Sequence, residues 1–129
     1  MTQGPFPFGK ASLKERATLH PDLQKVVDEA SKEINITLLK GFRGQEEQDK
    51  AYADGKSKLK WPNSRHNKTP SEAVDIAPWP INWSDSNSFK KMASAVKLAA
   101  KRVNVEVEWG GECFGKFIDM PHFQLKKGK

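Results

Sequence analysis

The stretch SRHNKTPSEAVDIAP, residues 64–78, decides the reading of this chain. Its second half, Ala73-Val74-Asp75-Ile76-Ala77, is a short apolar run closed by Pro78 and Pro80, as a strand is closed. Asp75 interrupts that run. A carboxylate in such a place needs compensation, either by a metal ion or by hydrogen bonds. The first half, Ser64-Arg65-His66, puts a histidine in a polar, proline-flanked loop rather than on an apolar helical face.

Further along, Asp119-Met120-Pro121-His122-Phe123 supplies a second such histidine. Pro121 disfavours helix before it and favours an extended entry. The chain has only three histidines, and two fall in these segments. Catalytic zinc commonly takes three protein ligands and keeps one position open. His66, Asp75 and His122 can form such a set, with one Zn2+ as the cofactor. A turn through Met120-Pro121 can bring Asp119 beside it as a general base. On the residues alone other readings stay open: His66 as a loop histidine, Asp75 as a loop anchor, His122 packed in a sheet, Asp119 capping a turn. The HExxH signature of many zinc proteases is absent.

Around these segments the pattern alternates helix and strand. Residues 1–11 read as an irregular lead-in. Ser12, with Glu15 three residues on, reads as a capping box for a helix over 13–18. His20-Pro21 breaks the chain. Leu23, Val26, Val27 and Ala30 recur at helical spacing within 22–32. A strand is expected within 34–42 and a polar helix over 45–53, stopped by Asp54-Gly55. Residues 55–71 form a basic loop. Phe89, Met92, Ala95, Val96 and Ala99 mark one face of a helix over 88–102. Val103, Val105 and Val107 alternate with polar residues as in a half-buried strand. Gly110-Gly111 makes a turn, and a last short strand begins at His122. This order predicts an α+β fold with a small, mainly antiparallel sheet and packed helices.

With 129 residues the chain fits one domain, 1–129, and leaves no room for a separate binding module. Its charged and hydrophobic content excludes a disordered chain. No apolar run approaches the ~20 residues of a membrane span, so no stable membrane insertion is expected. The single cysteine, Cys113, excludes an intrachain disulfide framework and reads as a small semi-buried side chain. The start MTQGPFPFGK lacks a basic segment followed by an apolar run, so synthesis in the cytoplasm without a signal peptide is expected. A net charge of +6 favours an anionic partner. Lys90, Lys91, Lys97, Lys101 and Arg102 give the long helix some basic character. No nucleic-acid-binding motif accompanies it, and no nucleic-acid partner is expected.

These motifs together resemble the LAS family of zinc peptidases, which includes D-alanyl-D-alanine carboxypeptidases and dipeptidases. The small phage endolysins of the L-alanyl-D-glutamate peptidase type are the nearest branch. Ser64-Arg65-His66 matches the family segment carrying the first zinc ligand, Ala73-Val74-Asp75 the second, and His122 the third. Asp119 matches the catalytic base. Gly41-Phe42-Arg43-Gly44-Gln45, with Gln48 and Tyr52, resembles the strand-to-helix segment whose arginine lies in the substrate cleft. Trp109-Gly110-Gly111 ahead of Phe117 resembles the approach to the third ligand, and Leu19-His20-Pro21-Asp22-Leu23 resembles the phage enzymes. The similarity spans residues 12–125. The spacing from His66 to Asp75 is longer than in many members, with Lys68-Thr69-Pro70-Ser71 filling the loop.

The resemblance implies a LAS/hedgehog-like fold and a zinc metallopeptidase that cuts the L-alanyl-D-glutamate bond of peptidoglycan stem peptides during host-cell lysis. A monomer is the default for an enzyme attacking such a polymer, and without a signal peptide it is expected to reach the wall through a separate membrane-permeabilising protein, with no separate cell-wall-binding domain. Arg43 is then a catalytic and substrate-binding residue that hydrogen-bonds the scissile carbonyl or balances charge on it; its other reading is a solvated surface arginine at the end of a strand. Ser64 either binds a substrate carboxylate or carbonyl or orders its loop. Trp79 and Trp83 either line the cleft, contact glycan or pack in the core. Two other activities fit the same motifs: D-alanyl-D-alanine carboxypeptidase or dipeptidase action, and zinc binding without turnover.

Overall fold

Two helices lie across one face of a four-stranded antiparallel sheet, and the candidate site lies on the other face. The computed structural model describes residues 6–112 and 118–126. In chain order the elements are α1 (Lys10–Arg16), α2 (Pro21–Ala30), β1 (Ile36–Lys40), α3 (Gln45–Ala53), a 3-10 turn (Arg65–Asn67), β2 (Ala73–Pro78), α4 (Ser86–Arg102), β3 (Val107–Trp109) and β4 (His122–Leu125). The strand order is β1-β2-β4-β3. The α+β class and the mainly antiparallel sheet therefore stand as the sequence predicts.

The two faces of the sheet follow from its register. Val74 pairs with Phe123, and Trp109 pairs with Phe123 from the other side. These residues are buried and join the core formed with α2 and α4. Leu23, Val26, Val27 and Ala30 of α2 meet Phe89, Met92, Val96 and Ala99 of α4 there. Asp75 pairs with His122, and Glu108 pairs with Gln124. Side chains alternate along a strand and partners share a face, so these four stand together on the opposite side.

Three local expectations need correction. Ser12 does not cap a helix. Helix α1 starts at Lys10 after Gly9, and Ser12 is buried inside it. Its hydroxyl accepts from the Leu38 amide at 3.0 Å and meets Thr37 Oγ1 at 3.1 Å. A backbone donor on the outer edge of β1 is thereby satisfied. The strand expected from Val103 begins only at Val107. Val103 closes α4 and Asn104 takes a positive φ of 61°, so the valine alternation belongs to a helix exit that still packs on the core. Trp79 and Trp83 are exposed and outside the core. Trp79 follows the end of β2 that pairs with Ile36, remote from Asp75, whereas Trp83 stacks on Phe89 of the long helix α4 at 5.4 Å, so of the open readings packing against that helix holds for Trp83, at the surface. Cys113 and Phe117 lie outside the described residues.

Candidate active site

His66, Asp75 and His122 converge from three places in the chain. The 3-10 turn brings His66, β2 brings Asp75, and β4 brings His122 opposite it. His66 Nε2 lies 3.2 Å from Asp75 Oδ1 and 3.2 Å from His122 Nδ1. His122 Nδ1 lies 3.3 Å from the same carboxylate oxygen. Donors about 2.0–2.1 Å from a tetrahedral zinc stand about 3.3 Å apart, so this nearly equilateral triangle fits the ion. Two imidazoles and one carboxylate are also a ligand set that zinc takes in hydrolases. The three residues form a metal-binding cluster.

Each imidazole is oriented through its other nitrogen. His66 Nδ1 lies 2.8 Å from the Gly41 carbonyl, to which it donates. That leaves Nε2 as the ligand atom. Gly41 is held in turn by α1 and the turn after it: its amide donates to Glu15 Oε1 at 2.9 Å, and the next amide, of Phe42, donates to Thr18 Oγ1 at 2.9 Å. A Cβ at position 41 would collide with Thr18 Oγ1 and lie 2.8 Å from the Glu15 carbonyl. Glycine there permits the close approach. His122 Nε2 lies 2.8 Å from Gln124 Oε1, which leaves Nδ1 facing Asp75.

The long loop between the first two ligands docks on the α1–α2 junction. His20 N donates to the Ser71 carbonyl at 2.8 Å, and Ser71 N donates to the Thr18 carbonyl at 2.9 Å. The added length is thus absorbed before β2, and Asp75 still faces His66. Glu72 is drawn to Arg65, 3.4 Å away.

A cleft of about 370 Å³ opens over the triangle, lined by His66, His122, Asp119, Arg43 and Ser64 among others. Asp119 enters through a tight turn: its amide donates to Gly110 O at 3.0 Å and its carbonyl accepts from His122 N at 3.1 Å. A Cβ on Gly110 would collide with the Asp119 carbonyl oxygen, so this glycine keeps Asp119 close to β4. Arg43 Nη2 lies 3.7 Å from Asp75 Oδ2, the oxygen turned away from the imidazoles, and Nη1 donates to Gln48 Oε1 at 2.9 Å. Ser64 is buried and caps the 3-10 turn: its hydroxyl accepts from His66 N at 3.2 Å, and its own amide donates to Asn67 Oδ1 at 3.0 Å. Trp79 and Trp83 are not among the lining residues.

The electrostatics follow from crowding without solvent. Burial opposes ionisation of Asp75, but the His66 and His122 imidazoles outweigh it and hold the carboxyl well below the usual carboxylate range. Burial pushes His122 down, yet hydrogen bonding and charge from Asp75 raise it overall. Asp119 is raised, first by burial and then by the nearby Asp75 charge, against the pull of His122, His66 and Arg43.

A buried glutamine beside the site carries much of the support. Gln48 is completely buried. It accepts from Arg43 and from Asn67 Nδ2 at 3.2 Å, and donates to the Leu59 carbonyl at 2.6 Å and Ser57 Oγ at 3.0 Å. It thereby ties Arg43, the His66 turn and the cleft rim together. Gln124 is a further residue of the site that the motifs do not mark. Its sequence signal is periodicity: two residues past His122 on a strand is the same face.

Comparison with known proteins agrees with this geometry. Residues 4–125 match the family model described as phage L-alanyl-D-glutamate peptidase. The chain is similar to the L-alanyl-D-glutamate peptidase of Escherichia phage T5, 32% identical over 130 residues that cover 95% of this chain and 91% of the relative. It is also similar to the crystal structure of the Serratia marcescens L-Ala D-Glu endopeptidase ChiX, with a TM-score of 0.80, 30% identity, and coverage of 95% and 91% of the two chains. The ligand triangle, the LAS-type fold and these matches across nearly the whole chain make this protein a member of the phage L-alanyl-D-glutamate peptidase family, a zinc-dependent peptidoglycan hydrolase.

Proposed function

We propose that this chain cuts the L-alanyl-D-glutamate bond of peptidoglycan stem peptides, as the names of its relatives describe for them. The observation that carries the reading is the His66–Asp75–His122 triangle at a cleft that Asp119 and Arg43 also line. Zinc in such a site polarises the scissile carbonyl and makes water a nucleophile at neutral pH. Asp119 accepts the proton of the attacking water and returns it to the leaving amine. Its partly buried position and raised affinity for a proton suit that exchange.

Arg43 has two parts to play. Its guanidinium supports the outer oxygen of Asp75, 3.7 Å away, and offers charge to the carbonyl oxygen as negative charge develops there. Ser64 orders the turn that presents His66, and its hydroxyl proton is available to a substrate carbonyl or carboxylate. Lys56, Lys58 and Arg65 also line the cleft, and their charge favours a stem peptide rich in carboxylates.

Digestion of purified peptidoglycan followed by mass spectrometry tests the bond assignment. Peptides with a new amino terminus at D-glutamate are expected. Release of terminal D-alanine alone would move the enzyme to the carboxypeptidase branch.

A further inference from the structure

Beyond the three ligands, a row of side chains continues across the sheet from Asp75 through His122 and Gln124 to Glu108. Gln124 follows His122 by two residues on β4, and Glu108 is its register partner on β3. His122 Nε2 lies 2.8 Å from Gln124 Oε1, and Gln124 Nε2 donates to Glu108 Oε1 at 3.0 Å. Both Glu108 and Gln124 are partly buried.

The chemistry of the row gives it a direction. An ionised carboxylate only accepts, so Gln124 turns its NH2 toward Glu108 and its carbonyl toward His122. An amide carbonyl also only accepts, so the proton of the neutral imidazole sits on Nε2. Nδ1 is then left with its lone pair toward Asp75 and His66, where a metal ligand is needed. Without Glu108 the Gln124 amide can turn over and present its NH2 to Nε2. The proton would then move to Nδ1 and block the ligand atom.

We propose that Glu108 and Gln124 are positioning residues that fix the tautomer of His122 for metal binding, Glu108 acting through the amide of Gln124. The inference rests on the metal centre and not on the identity of the scissile bond.

The test measures zinc affinity by competition with a chromophoric chelator, and reads the His122 tautomer in metal-free protein from imidazole 15N shifts. Gln124→Leu should weaken zinc binding roughly 10- to 100-fold, the range for lost outer partners of ligating histidines. It should also shift His122 away from the Nε2-protonated form. Glu108→Gln should weaken zinc binding less, and should add nothing in the Gln124→Leu background, because it acts through the same amide. The exchanged pair, Glu108→Gln with Gln124→Glu, keeps an acceptor at His122 and a donor to it at position 108. It should restore zinc affinity to near the parent's, which distinguishes orientation from a general structural defect. Unchanged affinity and tautomer in Gln124→Leu, or an exchanged pair as weak as Gln124→Leu, would overturn the proposal. A parent protein that takes up no zinc would overturn the metal centre beneath it.

Discussion

Asp75 and His122 are direct partners across β2 and β4, and their ligand atoms stand 3.3 Å apart. Two of the three metal ligands are therefore fixed by sheet register alone. A slip of one residue would turn one of them to the core face. Only His66 depends on a loop, and that loop is held by the Gly41 carbonyl and the Ser64–Asn67 capping pair.

The same pair predicts the pH behaviour of metal-free protein. The folded-state pKa of Asp75 is depressed, so its contribution is present above the unfolded carboxylate value and is lost as pH falls through the folded one. That of His122 is raised, so its contribution is full below the unfolded imidazole value and is lost as pH rises through the folded one. Metal-free protein should be most stable in mild acid and lose stability above neutrality. Zinc needs the deprotonated imidazole, so the increment in Tm on adding zinc should grow with pH. Thermal melts across pH with and without zinc check both trends.

Replacing Asp119 separates chemistry from metal binding. Asp119→Ala should lower kcat by roughly 10²- to 10⁴-fold, the usual contribution of a positioned acid–base group. Zinc content should stay at the parent level, since Asp119 is not one of the three converging ligands. Muropeptide release rates and metal analysis on the same preparation provide the measurement.

Gly110 should tolerate no side chain. The new Cβ of Gly110→Ala would collide with the Asp119 carbonyl and lie 3.0 Å from His122 Cβ. Relief requires moving backbone, at a cost of about 1–3 kcal/mol. A lower urea midpoint together with loss of activity is expected.

Gln48→Ala should be costly for a residue that touches no metal ligand directly. It leaves the Leu59 carbonyl and the Arg43 and Asn67 donors without their present partner. About 1–3 kcal/mol of stability should be lost, by the cost of an unsatisfied buried group. Because Arg43 loses a tether, kcat/KM should fall as well. Equilibrium unfolding and steady-state kinetics measure the two effects.

What the sequence made legible was whatever depended on local period or on chemistry that few residues can supply. Helices α2 and α4 showed their buried stripes, β2 showed an apolar run broken by one carboxylate, and the two loop and strand-entry histidines had few rivals. Tertiary substitutions were harder to read. Ser12 looks like a helix cap, yet it serves the edge of a strand 26 residues away, and nothing local separates these uses of a hydroxyl. The valines at 103 and 105 alternate as in a strand, yet Asn104 in a left-handed conformation turns them into a helix exit. The hub at Gln48 is invisible locally because its four partner residues come from three other segments. The Gln124–Glu108 pair lay within reach of a period-two argument once His122 was placed on a strand.

The most direct test of a zinc-driven hydrolysis at His66, Asp75 and His122 is a titration of metal-free protein with zinc while peptidoglycan turnover is followed. Activity should be absent at the start, rise in proportion to added zinc and level off at one ion per chain, with Asp75→Asn giving little recovery at the same concentrations. Full turnover by metal-free protein, or recovery in Asp75→Asn equal to the parent's, would contradict the account.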